Sequence, residues 1–175
     1  SDVCSSDLTD KLVVVAQLGA GGMGEVHRVH DRSLHRALAM KVLLPDMNAD
    51  PVLRARFIGE AQVTAQLAHP SIPPVHEIGT LSDGRPYFTM KEVHGSTLDH
   101  IVGAGRERGK WSEQRLLEIF QKVCEAVAYA HARGVVHCDL KPANIMVGAF
   151  GEVLVMDWGV ARIVRTDASR STHER

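Results

Sequence analysis

The stretch His137-Cys138-Asp139-Leu140-Lys141-Pro142-Ala143-Asn144 constrains this chain more than any other part of it. It gathers a carboxylate, an amine and a carboxamide in one short segment beyond a long helical pattern. Thirteen positions past Asn144 comes Asp157-Trp158-Gly159, at the end of the apolar run Val153 to Met156. A carboxylate beside a substrate hydroxyl can orient it and accept its proton. A lysine two positions on can hold a phosphoryl group in transit, and an asparagine can bind a metal. Asp157 can take a second metal position, with Gly159 allowing a sharp turn. Magnesium suits such a set, because it prefers a few protein oxygens plus phosphates to an all-protein cage.

Upstream, Lys11 to Leu18 reads as a β-branched strand that breaks at Gly19-Ala20-Gly21-Gly22-Met23-Gly24. A G-x-G-x-x-G run also marks dinucleotide sites and plain hairpin turns. A dinucleotide site would open a helix at this point, whereas Glu25 to Val29 continues as strand. Strand, glycine loop and strand together form a lid whose backbone N–H groups can approach phosphates. A third strand, Ala37 to Leu44, carries Lys41 among apolar neighbours and ends at Pro45. A lysine so placed either pairs with an anion or snorkels to solvent. Glu60, 19 residues on in a helix expected from about Pro51 to Ala68, could supply one charge.

Two more strands are expected at Pro74 to Thr80 and Pro86 to Glu92, joined by the turn Ser82-Asp83-Gly84-Arg85. Beyond Gly95 the pattern turns helical. Ser112 caps a helix from Glu113 to about Arg133, which Gly134 ends. Its apolar residues nearly encircle it, so burial on most sides is expected. Short strands at Ile145 to Val147 and Val153 to Met156 close the pattern.

Composition sets outer bounds. A chain of 175 residues with 45% apolar and 23% charged residues can build one ordinary core. A net charge of −1 excludes bulk attraction to nucleic acid or anionic membrane. No apolar run is long enough for a transmembrane helix. Cys4, Cys124 and Cys138 form no disulfide framework or zinc pair, which favours a reducing cytoplasm. The ten histidines include no H-E-x-x-H pattern. Residues 1–10 read as a foreign or disordered arm without a signal peptide, and 165–175 as a disordered tail.

Taken together, G-x-G-x-x-G-x-V, A-x-K, a helix glutamate, H-x-D-L-K-P-x-N and D-x-G, in this order, resemble the protein kinase family. The wording LGAGGMGEV, HCDLKPANIMVG and VLVMDWGVA looks like the bacterial serine/threonine type. The resemblance covers roughly residues 11 to 164 and implies an α+β fold of two lobes. Residues 11–93 would form an N-terminal lobe and hinge, with a five-stranded antiparallel sheet and one main helix. Residues 94–164 would form an incomplete, mainly helical C-terminal lobe. The implied cofactors are ATP and Mg2+, and the implied partner is a protein presenting Ser or Thr; oligomeric state is left open.

By the same resemblance the ATP-binding set is Leu18, Gly19, Gly21, Gly22, Gly24, Val26, Ala39, Lys41, Glu60, Met90, Lys91, Val93 and Met146. Val26, Ala39 and Met146 would sandwich adenine, Met90 would guard the back of its pocket, and Lys91 to Val93 would form the hinge. Asp139 would be the catalytic base, Lys141 the γ-phosphate contact, and Asn144 and Asp157 the magnesium ligands. Two residues depart from the family pattern. Cys138 replaces the usual arginine, so activation-loop phosphorylation is not expected to act through that pocket; the thiol is expected to be inert and partly buried. Trp158 replaces phenylalanine and is expected to pack beneath the helix bearing Glu60, with its N–H seeking an acceptor. Nothing after Gly159 resembles the later substrate-binding parts, so weak or absent protein phosphorylation by the chain alone is expected. The rival readings are a pseudokinase scaffold, a small-molecule phosphotransferase and a structural interaction domain.

Overall fold

The computed structural model describes residues 11–105 and 111–164. Strands β1 (Leu12–Ala20), β2 (Gly24–Asp31) and β3 (Arg36–Leu43) lead into a short helix, α1 (Pro45–Asn48). Helix α2 (Pro51–Ala65) and strands β4 (Val75–Thr80) and β5 (Pro86–Lys91) follow. These strands make an antiparallel sheet in the order β1-β2-β3-β5-β4, so β5 enters between β3 and β4. The five expected strands and their antiparallel pairing are all present.

Local chemistry starts α2 where the sequence places it. Asp50 is the cap, its carboxylate accepting from the N–H groups of Val52 and Leu53, and Pro51 occupies the first turn. The helix ends three residues before the expected Ala68, because the Gln66 N–H folds back onto the Val63 and Thr64 carbonyls. Pro45, read as a strand stop, also opens α1. Phe57 and Ala61 on α2 meet Ala39, Leu43, Phe88 and Met90 on one face of the sheet. The other face packs Leu12, Val29, Leu38, Met40, Val42, Leu81 and Tyr87. Each large side chain buried this way contributes about 1.5–3 kcal/mol.

Below the sheet lie β6 (Gly95–Thr97), α3 (Leu98–Gly105), α4 (Glu113–Ala132) and β7 (Val135–Val136). A 3-10 turn over Pro142–Asn144, strands β8 (Ile145–Gly148) and β9 (Val153–Val155), and β10 (Arg162–Ile163) complete the described chain. Strands β6, β8 and β9 form a small antiparallel sheet, and β7 pairs with β10. One core joins the two parts: Leu67 and Ile72 pack with Ile119, Val123, Ala126, Val155 and Trp158.

The near-encircling apolar pattern of α4 overstates its burial. Only Ile119, Val123, Ala126 and Ala130 are buried, whereas Leu117 and Phe120 stand 67% and 63% exposed. Its densest contacts are to β7 and β9, with Leu67 and Ile72 packing alongside on the same core. No helix of the described residues is long and apolar enough to cross a membrane.

Candidate active site

A cavity of about 570 Å3 opens between the five-stranded sheet and the small sheet. Its ceiling is the turn from β1 to β2, where the Gly21 N–H donates to the Gly24 carbonyl at 2.8 Å. Gly24 leaves no alternative residue, since a Cβ there would lie 2.7 Å from the Val42 carbonyl oxygen. Val26, Lys41 and Phe88 stand directly opposite one another across β2, β3 and β5, and all three line the cavity. Directly opposed residues share a sheet face, so one rung delivers all three side chains inward.

Lys41 is committed to Glu60 rather than snorkelling. Its Nζ lies 2.7 and 2.9 Å from the two carboxylate oxygens, reaching from β3 to α2. Glu60 is 6% exposed, and burial pushes its carboxyl pKa up, with the Lys41 charge and hydrogen bond pulling it back down. Asp157 Oδ1 lies 3.9 Å from the same ammonium. The Asp157 backbone is left-handed (φ 59°), a conformation that aspartate tolerates better than most residues. Gly159 sits so close that a Cβ would meet Glu60 Oε2 at 3.0 Å and Asp157 Oδ1 at 3.3 Å.

The floor is the segment between β7 and β8. Lys141 Nζ donates to Asp139 Oδ2 at 2.8 Å. The Asn144 amide donates to the Asp139 carbonyl at 2.9 Å and to its Oδ2 at 3.1 Å. The hydrogen bond from Lys141 is the main influence holding the Asp139 carboxyl below its ordinary pKa, and Asp139 raises that of Lys141 in return. His137, 3% exposed, ties this loop to the strand before Asp157. The Asp139 N–H donates to its Nδ1 at 3.2 Å, leaving Nε2–H to donate to the Met156 carbonyl at 2.9 Å. One donor facing Nδ1 and one acceptor facing Nε2 fix the tautomer.

Trp158 is 2% exposed, packs its ring 4.6 Å from that of His137, and donates its indole N–H to the Val155 carbonyl at 3.1 Å. The expected acceptor is there, and the indole lies in the core against which Val63 of α2 packs. Cys138 is different. It is exposed and left-handed (φ 64°), not partly buried, because the turn that aims Asp139 inward rotates its neighbour out.

Of the residues expected at the site, Gly19, Gly21, Gly22, Gly24, Val26, Lys41, Glu60, Met90, Asp139, Asn144 and Asp157 line this cavity. Lys141 reaches it through Asp139. Leu18, Ala39, Lys91, Val93 and Met146 are not part of the lining. Leu18 is 44% exposed, Ala39 is buried in the sheet, and Lys91 turns its ammonium to Glu152. Met146 sits on β8 opposite Thr97 and Leu154. Met23, Thr97, Ala143 and Met156 also line the wall. Met23, Ala143 and Met156 adjoin singled-out residues, a signal that neighbourhood alone could have supplied; Thr97 carried none.

The family model described as "Protein kinase domain" matches residues 12–174. This chain belongs to the protein kinase family. Its relatives place it with the bacterial serine/threonine kinases. It is 41% identical over 157 residues to the serine/threonine-protein kinase PknD of Chlamydia muridarum, an alignment covering 85% of this chain and 17% of that protein. It is 40% identical over 170 residues to PknB of Mycobacterium tuberculosis, covering 95% of this chain and 27% of that one. The crystal structure of the Mycobacterium tuberculosis PknI kinase domain matches with a TM-score of 0.72 at 34% identity, over 93% of this chain and 64% of that one. The kinase chain thus spans about a sixth of its curated relative PknD and about a quarter of PknB.

Protein kinases as a family use ATP and Mg2+, and the donor chemistry of this site fits both. Asn144 spends its amide hydrogens on Asp139, which turns its carbonyl oxygen the other way. Asp157 keeps a carboxylate 49% exposed at the cavity. Those two hard oxygen donors suit magnesium. Among the described residues no cluster of three His, Cys, Asp or Glu could hold an ion without help. Phosphate oxygens would complete the shell.

Proposed function

We propose that this kinase transfers the γ-phosphoryl group of ATP to Ser or Thr hydroxyls of a protein. The observation that carries the reading is the convergence of Lys41–Glu60, Asp157, Asp139 and Asn144 on one cavity beneath a glycine turn. Gly19, Gly21, Gly22, Gly24 and Val26 cover the nucleotide, with Met90 beside adenine. Lys41, held by Glu60, steadies the α- and β-phosphates. Asp139, ionised at neutral pH, orients the acceptor hydroxyl and takes its proton. Lys141, 2.8 Å from that carboxylate, neutralises the group in transit. Magnesium held by Asn144 and Asp157 would offset phosphate charge.

Three further elements belong to this proposal. The domain works in the cytoplasm. Cys138, standing where the family carries arginine, offers no charge to a phosphorylated activation loop. Residues 11–93 and 94–164 are the two lobes, with the hinge at 91–93.

The test is radiolabel transfer from ATP to protein by the complete gene product, with Asp157→Asn as the control. Asparagine tolerates the left-handed backbone, so the melting temperature should hold while transfer falls at least about 100-fold. Unchanged transfer would rule out the assigned metal role. The 175-residue chain alone is expected to label protein weakly, since it spans 64% of the PknI domain chain and leaves Leu117 and Phe120 exposed.

A further inference from the structure

A second rung of the sheet runs parallel to the one that lines the cavity. Arg28 on β2 stands opposite Ala39 on β3, and Ala39 opposite Met90 on β5. It therefore shares the cavity face with Val26, two residues before it on the strand. Arg28 is absent from the cavity wall because it reaches past it to the hinge. Its Nε donates to Glu92 Oε1 at 2.7 Å, and its Nη2 lies 2.5 Å from the same oxygen as an ion pair.

Glu92 is 9% exposed, and its second oxygen, Oε2, is buried without a hydrogen-bond partner, 3.5 Å from the ring of the exposed His94. A buried carboxylate this short of donors depends on the one guanidinium that serves it. The strand carrying that guanidinium pairs in unbroken register with β3 from Gly24 to Asp31, and its looser side is the one that faces β1. Its pairing with β1 slips register twice, between Val14 and Ala16 and between Gln17 and Gly19. The neighbouring hinge pair, Lys91 with Glu152, is by contrast 46% and 40% exposed and screened by water.

We propose that Arg28 and Glu92 are positioning residues: their pair fastens the strand bearing the glycine flap to the hinge, sets the flap's height over the nucleotide, and so tunes nucleotide affinity. The inference rests on the kinase reading above and adds a specificity to it. The flap contacts ground-state nucleotide and transition state alike, so loosening it weakens binding more than it slows transfer.

The experiment measures KM for ATP, kcat, and Kd for MgADP on the complete gene product. In Arg28→Met, KM and Kd should rise about tenfold, the scale of a lost charged hydrogen bond, with kcat within about twofold. Arg28→Lys should recover part of the affinity. The exchange pair Arg28→Glu with Glu92→Arg should bind more tightly than either single variant. Glu92→Gln, which keeps volume and one acceptor, supplies the same reading if Arg28→Met does not fold. Unchanged KM and Kd in Arg28→Met and Glu92→Gln would overturn the proposal, as would kcat, affinity and melting temperature declining together. Absence of transfer by the unmutated protein would count against the kinase reading alone, since the MgADP comparison still reports on the clasp.

Discussion

Replacing Lys41 by Met should expose how Glu60 is kept charged. The ammonium lies 2.7 and 2.9 Å from the two oxygens of a carboxylate that is 6% exposed. Removing one member of a buried pair costs about 3–5 kcal/mol while the survivor stays ionised. Glu60 has an escape, because it can take up a proton. Burial already raises its pKa, and Lys41 is the group that opposes the rise. Without Lys41 the folded-state pKa climbs further above the unfolded value. A carboxyl raised on folding binds a proton in the native state, so stability falls as pH increases through that window, by about 1.4 kcal/mol per pH unit. The Lys41→Met deficit should therefore be largest near pH 8, shrinking toward pH 5. Urea unfolding of wild type, Lys41→Met, Glu60→Gln and the double variant at both pH values supplies the measurement. The double variant should recover most of the loss at pH 8. An equal deficit at both pH values, or a double variant no more stable than Lys41→Met, would refute the reasoning.

Trp158→Phe removes the hydrogen bond to the Val155 carbonyl and leaves space beside His137; denaturant unfolding should show a loss of about 2 kcal/mol. Lys141→Met removes the chief influence holding the Asp139 carboxyl down. Carbon NMR should then find Asp139 titrating at higher pH than in wild type, so the range in which it serves as a base narrows from the acid side.

The sequence carried the site more fully than the packing. Lys41, Glu60, Asp139 and Asp157 were legible because each is a polar group within or just beyond an apolar element, where solvation makes an idle charge costly. The five strands were legible in their apolar runs and turn residues and their antiparallel sheet followed from the resemblance, whereas the insertion of β5 between β3 and β4 has no local signature. The exposure of Leu117 and Phe120 could not be read from periodicity, since a pattern states what a helix can bury and not what lies beside it. Cys138 was misplaced for a similar reason: its exposure follows from a left-handed backbone angle, which no side-chain preference announced. Arg28 and Glu92 lie 64 residues apart, and only the pairing of β2, β3 and β5 brings them together.

The imidazole of His137 has a consequence for how this site could be rebuilt. One ring spans the gap between the two acidic residues, grasping the main chain next to each. It acts as a spacer gauge of fixed width. Chain segments grafted from a relative would keep that spacing only when the histidine and both of its backbone anchor points travel together.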